Sequence, residues 1–140
     1  MTPHLRIARP VGDLALSTQM YCRGLGLKIL ASFRDHDGFD GVMLGDPRSN
    51  YHFEFTHCHA HPITPTPTAD DLLVLYMPEE NEWRASCTNM LAAGFKQVPS
   101  VNPYWNARGR TYQDPDGYRT VLERAEWRSA GAGRTRKLSA

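Results

Sequence analysis

The segment "YHFEFTHCHAHP", residues 51–62, gathers four histidines, one cysteine and one glutamate within ten positions. Imidazole, thiolate and carboxylate groups hold divalent metals and move protons near neutral pH. His52 and Glu54 are two residues apart, so on an extended strand they share a face and can act as base and orienter or as two metal ligands. The alternative for His52 is a hydrogen-bonded histidine in a pocket wall. His57, His59 and His61 also alternate, and an extended chain would place them on one side, as in a surface zinc or nickel site. A defined site needs fixed geometry and supporting hydrogen bonds. The prolines at 62, 65 and 67 offer little of either, so solvation or adventitious chelation is expected for these three. His4 and His36 are expected at the surface. Other chemistries lack their residues: there is no Gly-x-Ser-x-Gly elbow, phosphate-cradling glycine loop or Cys-x-x-Cys pair. Cys22, Cys58 and Cys87 are dispersed and odd in number, which argues against a disulfide framework. Cys22 and Cys87 fall in helical patterns as small buried residues.

These side chains must be positioned by a repeated plan. "LRIARPVGDL" alternates apolar and polar residues and predicts a strand ending at Gly12-Asp13, with Asp13 as a helix N-cap. "LALSTQMYCRGLG" places Leu14, Leu16, Met20 and Leu25 on one helical face, with Gly24 and Gly26 as stop signals. "LKILASFRD", "VMLGD" and "YHFEFTH" predict three further strands, the last with Tyr51, Phe53 and Phe55 packed under the helix as core. A proline-rich linker follows, and then the order restarts. "LLVLYMP" is a strand, and Pro78, Glu79 and Glu80 begin a helix that ends at Gly94. "KQVPS", "RTYQD" and "YRTVLER" are strands, with "VNPYWNARG" as a loop and "PDG" as a turn. The helix ends "GLGLKI" and "AAGFKQV" occupy equivalent places in the two halves. Joined edge to edge, such halves make one curved eight-stranded sheet with helices outside and a concave pocket inside. The class is therefore α+β, a single domain over 1–125, with module one at about 5–57, a linker at 58–71 and module two at 72–125. The tail 126–140 is small, polar and basic, and is expected to be disordered.

Composition excludes several function classes. The 140 residues carry a formal net charge of +1, with 22% charged and 41% hydrophobic residues. No electrostatic case for a nucleic-acid partner or an acidic membrane follows. No apolar run approaches the roughly 20 residues of a membrane span, and the first ten residues lack the apolar core of a signal peptide. A cytoplasmic protein is the expectation.

"VGDL" with "MYCRGLGLKI", and "AAGFKQV" with "TYQDPDGYRTVLER", carry a resemblance over about Leu5 to Arg124 to the vicinal oxygen chelate superfamily. That superfamily includes glyoxalase I, fosfomycin-resistance transferases, extradiol dioxygenases and bleomycin-binding proteins. "DPDGYR" is the most specific of these motifs, and the linker and the "NPYWNARG" loop look like one bacterial branch of the superfamily. In metal-using members, the ligands come from the first, fourth, fifth and last strands. Carried over by motif, these positions fall on Arg6, Glu54, near Leu72 and on Val121. Only Glu54 is a metal-ligand type; arginine stays protonated, and leucine and valine cannot coordinate. The resemblance thus implies no metal site and no cofactor. It places a fixed guanidinium where the metal would sit, facing Glu54 across the pocket floor or holding an anionic ligand. The alternative is that Arg6 points outward. If the pair is buried, losing Glu54 alone costs roughly 3–5 kcal/mol.

The aromatic residues Tyr104, Trp105 and Tyr112 complete the candidate binding set. The Tyr104-Trp105 loop can close the pocket mouth with flat rings against a ligand, or Trp105 can plug the open end of the sheet. The function expected is small-molecule binding in the concave sheet without the superfamily's metal. The alternatives are a metal-dependent lyase, isomerase or transferase of the glyoxalase type, and a structural or regulatory protein whose cup is filled by side chains. A homodimer is expected, because open sheet edges are liabilities that pairing removes. The modules can close within one chain or exchange between two.

Overall fold

The computed structural model of the chain describes residues 1–130. The expected disordered tail falls on 126–130, which form no helix or strand, and on 131–140, which lie outside the described residues. Module one runs β1 (Leu5–Pro10), α1 (Leu14–Leu25), β2 (Lys28–His36), β3 (Phe39–Gly45) and β4 (Tyr51–Cys58). Module two runs β5 (Leu72–Tyr76), α2 (Glu80–Ala92), β6 (Lys96–Val98), α3 (Tyr104–Ala107), β7 (Gly109–Gln113) and β8 (Arg119–Glu123). The tandem βαβββ order is as the sequence predicts. Cys58 closes β4 rather than opening the linker, and the "NPYW" loop contains the short helix α3.

Local chemistry sets the element ends. The Asp13 side chain accepts from the Leu16 amide at 3.0 Å and caps α1. Gly26, at φ 69°, ends α1 in a left-handed conformation that a side chain would strain. Glu79 caps α2 by accepting from the amides of Asn81 and Glu82.

The eight strands form two four-stranded sheets, ordered β1-β4-β3-β2 and β5-β8-β7-β6. In each, the first strand runs parallel to the last and the remaining pairs are antiparallel. Edge-to-edge joining of the halves is not what holds one chain together. One core instead gathers Leu44, Phe53 and Phe55 of the first sheet, Tyr112 and Leu122 of the second, and Met20, Tyr21, Trp83, Cys87 and Met90 of the two helices. The helices pack closely: a Cβ added to Gly24 would lie 2.8 Å from the Met90 sulfur. Each sheet therefore turns its helix-covered face inward, and its other face points away from the shared core.

A polar clasp fixes the two modules. The Tyr21 hydroxyl donates to Asp114 at 2.7 Å, the Gly12 amide donates to Asp116 at 3.2 Å, and the Tyr118 hydroxyl donates to the Pro10 carbonyl at 3.0 Å. The Arg9 guanidinium lies 4.4 Å from the Tyr118 ring centre. The "DPDGY" motif is thus both the turn before β8 and the hook onto module one.

Candidate functional site

Strand register brings the predicted polar residues together. β1 and β4 run parallel with Arg6 opposite His52 and Ile7 opposite Phe53. Phe53 and Phe55 are buried in the core, so the alternating positions Arg6, His52 and Glu54 project from the outward face. Arg6 Nη1 donates to Glu54 Oε2 at 3.2 Å, and Arg6 Nε donates to His52 Nε2 at 2.9 Å. His52 Nδ1 lies 2.6 Å from His4 Nε2. Arginine is only a donor, so His52 Nε2 must be the unprotonated nitrogen. Nδ1 then carries the hydrogen and donates to His4. The chain of bonds His4–His52–Arg6–Glu54 requires both histidines to be neutral. Consistently, burial, then Arg6 and then His4, hold the His52 pKa below the ordinary histidine value, against the opposing pull of Glu54.

His4 is therefore no bystander at the surface. The sequence signal for it was its spacing, two residues before Arg6 on a chain leading into β1. The Arg6 side chain is 47% exposed and Glu54 14% exposed. The large penalty for a buried pair accordingly does not apply to the single chain. A pair this exposed contributes about 0–1 kcal/mol.

The remaining predicted residues divide between two faces. Leu72 belongs to the outward face of the second sheet, since its neighbours Leu73 and Leu75 pack against the core. Val121 shares that face but is fully buried, beneath the segment 99–108 that carries Tyr104 and Trp105. Ser100 and Thr111 join their hydroxyls at 2.6 Å, and the Arg124 amide donates to the Arg108 carbonyl at 2.8 Å, tying that segment down. Trp105 therefore belongs to a cover over this half of the cup. Tyr112 corrects the binding set: it is fully buried on the helix side of β7, within the core, because alternation puts Thr111 outward instead. Glu123, two residues beyond Val121 and on the same face, is a buried carboxyl that sequence reasoning missed. The i, i+2 spacing was its signal.

The histidine-rich stretch has a structural use. His59 Nε2 lies 3.1 Å from Asp40, and its amide donates to the Gly38 carbonyl, fastening the β3–β4 end. The Asp35 amide and His59 hold the Asp40 carboxyl below its usual range. Among the described residues, no group of three or more His, Cys, Asp or Glu is arranged to hold a metal ion. The residues at the superfamily's four positions do not fit a divalent cation either. Glu54 is the one donor among them, and the free nitrogen of neighbouring His52 is already engaged by Arg6.

Residues 5–56 match the YycE-like N-terminal domain, and residues 70–124 match the YycE-like C-terminal domain. The uncharacterized protein YycE of Bacillus subtilis is 44% identical over 118 residues, spanning 84% of this chain and 85% of that one. A crystal structure of B. subtilis YycE, a protein of unknown function, superposes with a TM-score of 0.80 at 40% identity over 92% of each chain. Glyoxalase I of Leishmania major shares the fold at 20% identity and a TM-score of 0.68, over 89% of this chain and 88% of that one. TnmS3, an antibiotic-binding protein of Streptomyces sp. CB03234, does so at 18% and 0.59, over 88% and 94%. With both halves matched in order, the chain belongs to the YycE-like family of the vicinal oxygen chelate superfamily.

Proposed function

We propose that the protein binds a small molecule against the Arg6–Glu54–His52 face and does so without a divalent metal. The observation that carries this reading is the guanidinium itself. Carried over by motif, Arg6 falls on a metal-ligand position of the superfamily and supplies a fixed positive charge there, and two protein acceptors already orient it. Its Nη2 has no hydrogen-bond partner among the described residues. A half-exposed, oriented arginine with a spare donor suits a carboxylate or phosphonate group on the ligand. TnmS3, on the same fold, is an antibiotic-binding protein, so the fold accommodates a binding role; fold likeness supports no particular ligand.

We further propose that the pocket is completed by a second copy. The outward faces of the two sheets in one chain point apart, so the eight-stranded cup forms when the β1 edge of one chain meets the β5 edge of another.

The test is a thermal-shift survey of small carboxylates and phosphonates on untagged protein, run in parallel on Arg6→Met. Binders should raise the melting temperature of the wild type and lose that effect in Arg6→Met. If no anionic compound stabilises the wild type, or if Arg6→Met responds equally, the reading is wrong.

A further inference from the structure

The outward face of the first sheet carries more than Arg6, His52 and Glu54. On β3, Leu44 lies in the core and Val42 packs against it, so Gly41, Met43 and Gly45 turn outward. Met43 lies directly opposite Glu54 on β4, and Gly45 opposite His52. On β2, Ala31 lies opposite Met43, and Phe33 opposite Gly41. From Glu54 toward the β2 edge, the outward face therefore changes from polar to apolar.

Two glycines flatten this apolar part. A Cβ at Gly41 would collide with the Phe33 ring, so the ring lies across the bare backbone of β3. A Cβ at Gly45 would lie 3.2 Å from Leu30 Cδ1, so Leu30 leans over the second glycine. The His36 ring meets Phe33 edge-on, with ring centres 6.2 Å apart. Leu30 is 38% exposed, and Phe33 and Met43 are partly exposed. A thioether, an aromatic ring and a leucine thus form a shelf of the kind that planar apolar groups pack on.

The charge beside this shelf is Arg6. Its guanidinium reaches over β4 to Glu54 and His52, with Nη2 unbonded among the described residues. One strand spacing, about 5 Å, separates β4 from β3, and two residues along β3, about 7 Å, separate Met43 from Gly41. Those spans match a fused bicyclic ring whose acidic group is attached directly to it. We propose that the ligand of this face is an aromatic acid, with its anionic group on Arg6 and its planar body on Met43, Leu30 and Phe33. Charge complementarity selects the anion, and the shelf selects the ring. This assignment rests on the small-molecule reading of the Arg6 face and adds the shape and polarity of the ligand's body.

The experiment follows 2-naphthoate, acetate and 2-naphthalenemethanol by two-dimensional NMR on untagged protein. Wild type is compared with Arg6→Met, Phe33→Ala and Met43→Gln. In the wild type, 2-naphthoate should shift the Arg6 Nε–H signal and the methyl signals of Leu30 and Met43. It should bind at least tenfold more tightly than either acetate or the uncharged alcohol. The ratio of naphthoate to acetate affinity should fall below threefold in Phe33→Ala and in Met43→Gln; if one variant does not fold, the other decides. Equal binding of acetate and naphthoate through Arg6, or unchanged ratios in the folded variants, overturns this assignment and leaves the reading of the Arg6 face standing. So does a naphthoate that shifts Arg6 but neither methyl. If the methyl signals of Leu30 and Met43 move with protein concentration and naphthoate does not reach them, a second copy covers the shelf and the assignment is overturned. If neither anion binds the wild type, or if naphthoate binds Arg6→Met equally well, both readings fail.

Discussion

At the scale of single residues, the array His4–His52–Arg6–Glu54 works only with neutral imidazoles. Its pH dependence follows from the sign of one shift. His52 has a folded pKa below its unfolded value of about 6.5. The unfolded chain therefore binds the proton first, and stability rises with pH through that window. The contribution is complete above the unfolded value and is lost as pH falls through the depressed folded value. Denaturant melts between pH 7 and pH 5 should show this acid loss in wild type and a smaller one in His52→Gln. Nitrogen shifts should also report the Nδ1–H tautomer for His52. Arg6→Met and Glu54→Gln should each cost about 0–1 kcal/mol in a monomer and nearly add, because the Arg6 guanidinium is half open to water. Strong non-additivity would mean that another surface covers the pair.

The clasp between modules makes its own demands at the scale of elements. Asp114 is 4% exposed and accepts from Tyr21 and from the amides of Asp116 and Tyr118. Tyr21→Phe leaves one buried carboxylate oxygen without its donor and should cost about 1–3 kcal/mol in denaturant unfolding. Burial raises the Asp114 pKa despite these bonds, so here the folded state binds the proton more tightly. That contribution is full below the unfolded carboxyl value of about 3.9 and is lost as pH rises through the folded value. Asp114→Asn should remove that slope. Gly109→Ala forces a Cβ against a backbone oxygen, and should cost about 1–3 kcal/mol by overpacking.

Much of this level was legible in the sequence. Alternation gave the faces of β4, and Asp13, Gly26 and Gly94 marked helix ends. The placement of Arg6 beside Glu54 came through motif likeness and held. Three things were not legible. Tyr112 could not be assigned a face because "RTYQD" alternates polar and aromatic residues without an apolar stripe. A four-residue helix such as α3 has no period to detect. The meeting of Tyr21 with Asp114, 93 residues apart, depends on helix packing that no local pattern encodes.

At the scale of the whole molecule, the two outward faces cannot form one pocket within a chain. Joining them needs an open edge, and β1 and β5 are both edge strands. Ile29 and Leu30 on the other edge strand, β2, are 60% and 38% exposed. Light scattering at high micromolar concentration should give a dimer; monomer alone would remove the completed cup. No helix among the described residues is long and apolar enough to cross a membrane.

On the proposed reading, Arg6 stands in the place of a metal. The most direct measurement is the metal content of untagged protein after dialysis, by elemental analysis, with the melting temperature recorded with and without chelator. Well under one equivalent of divalent metal and an unchanged melting temperature are expected. A stoichiometric metal that survives dialysis and disappears in Glu54→Ala would contradict the claim.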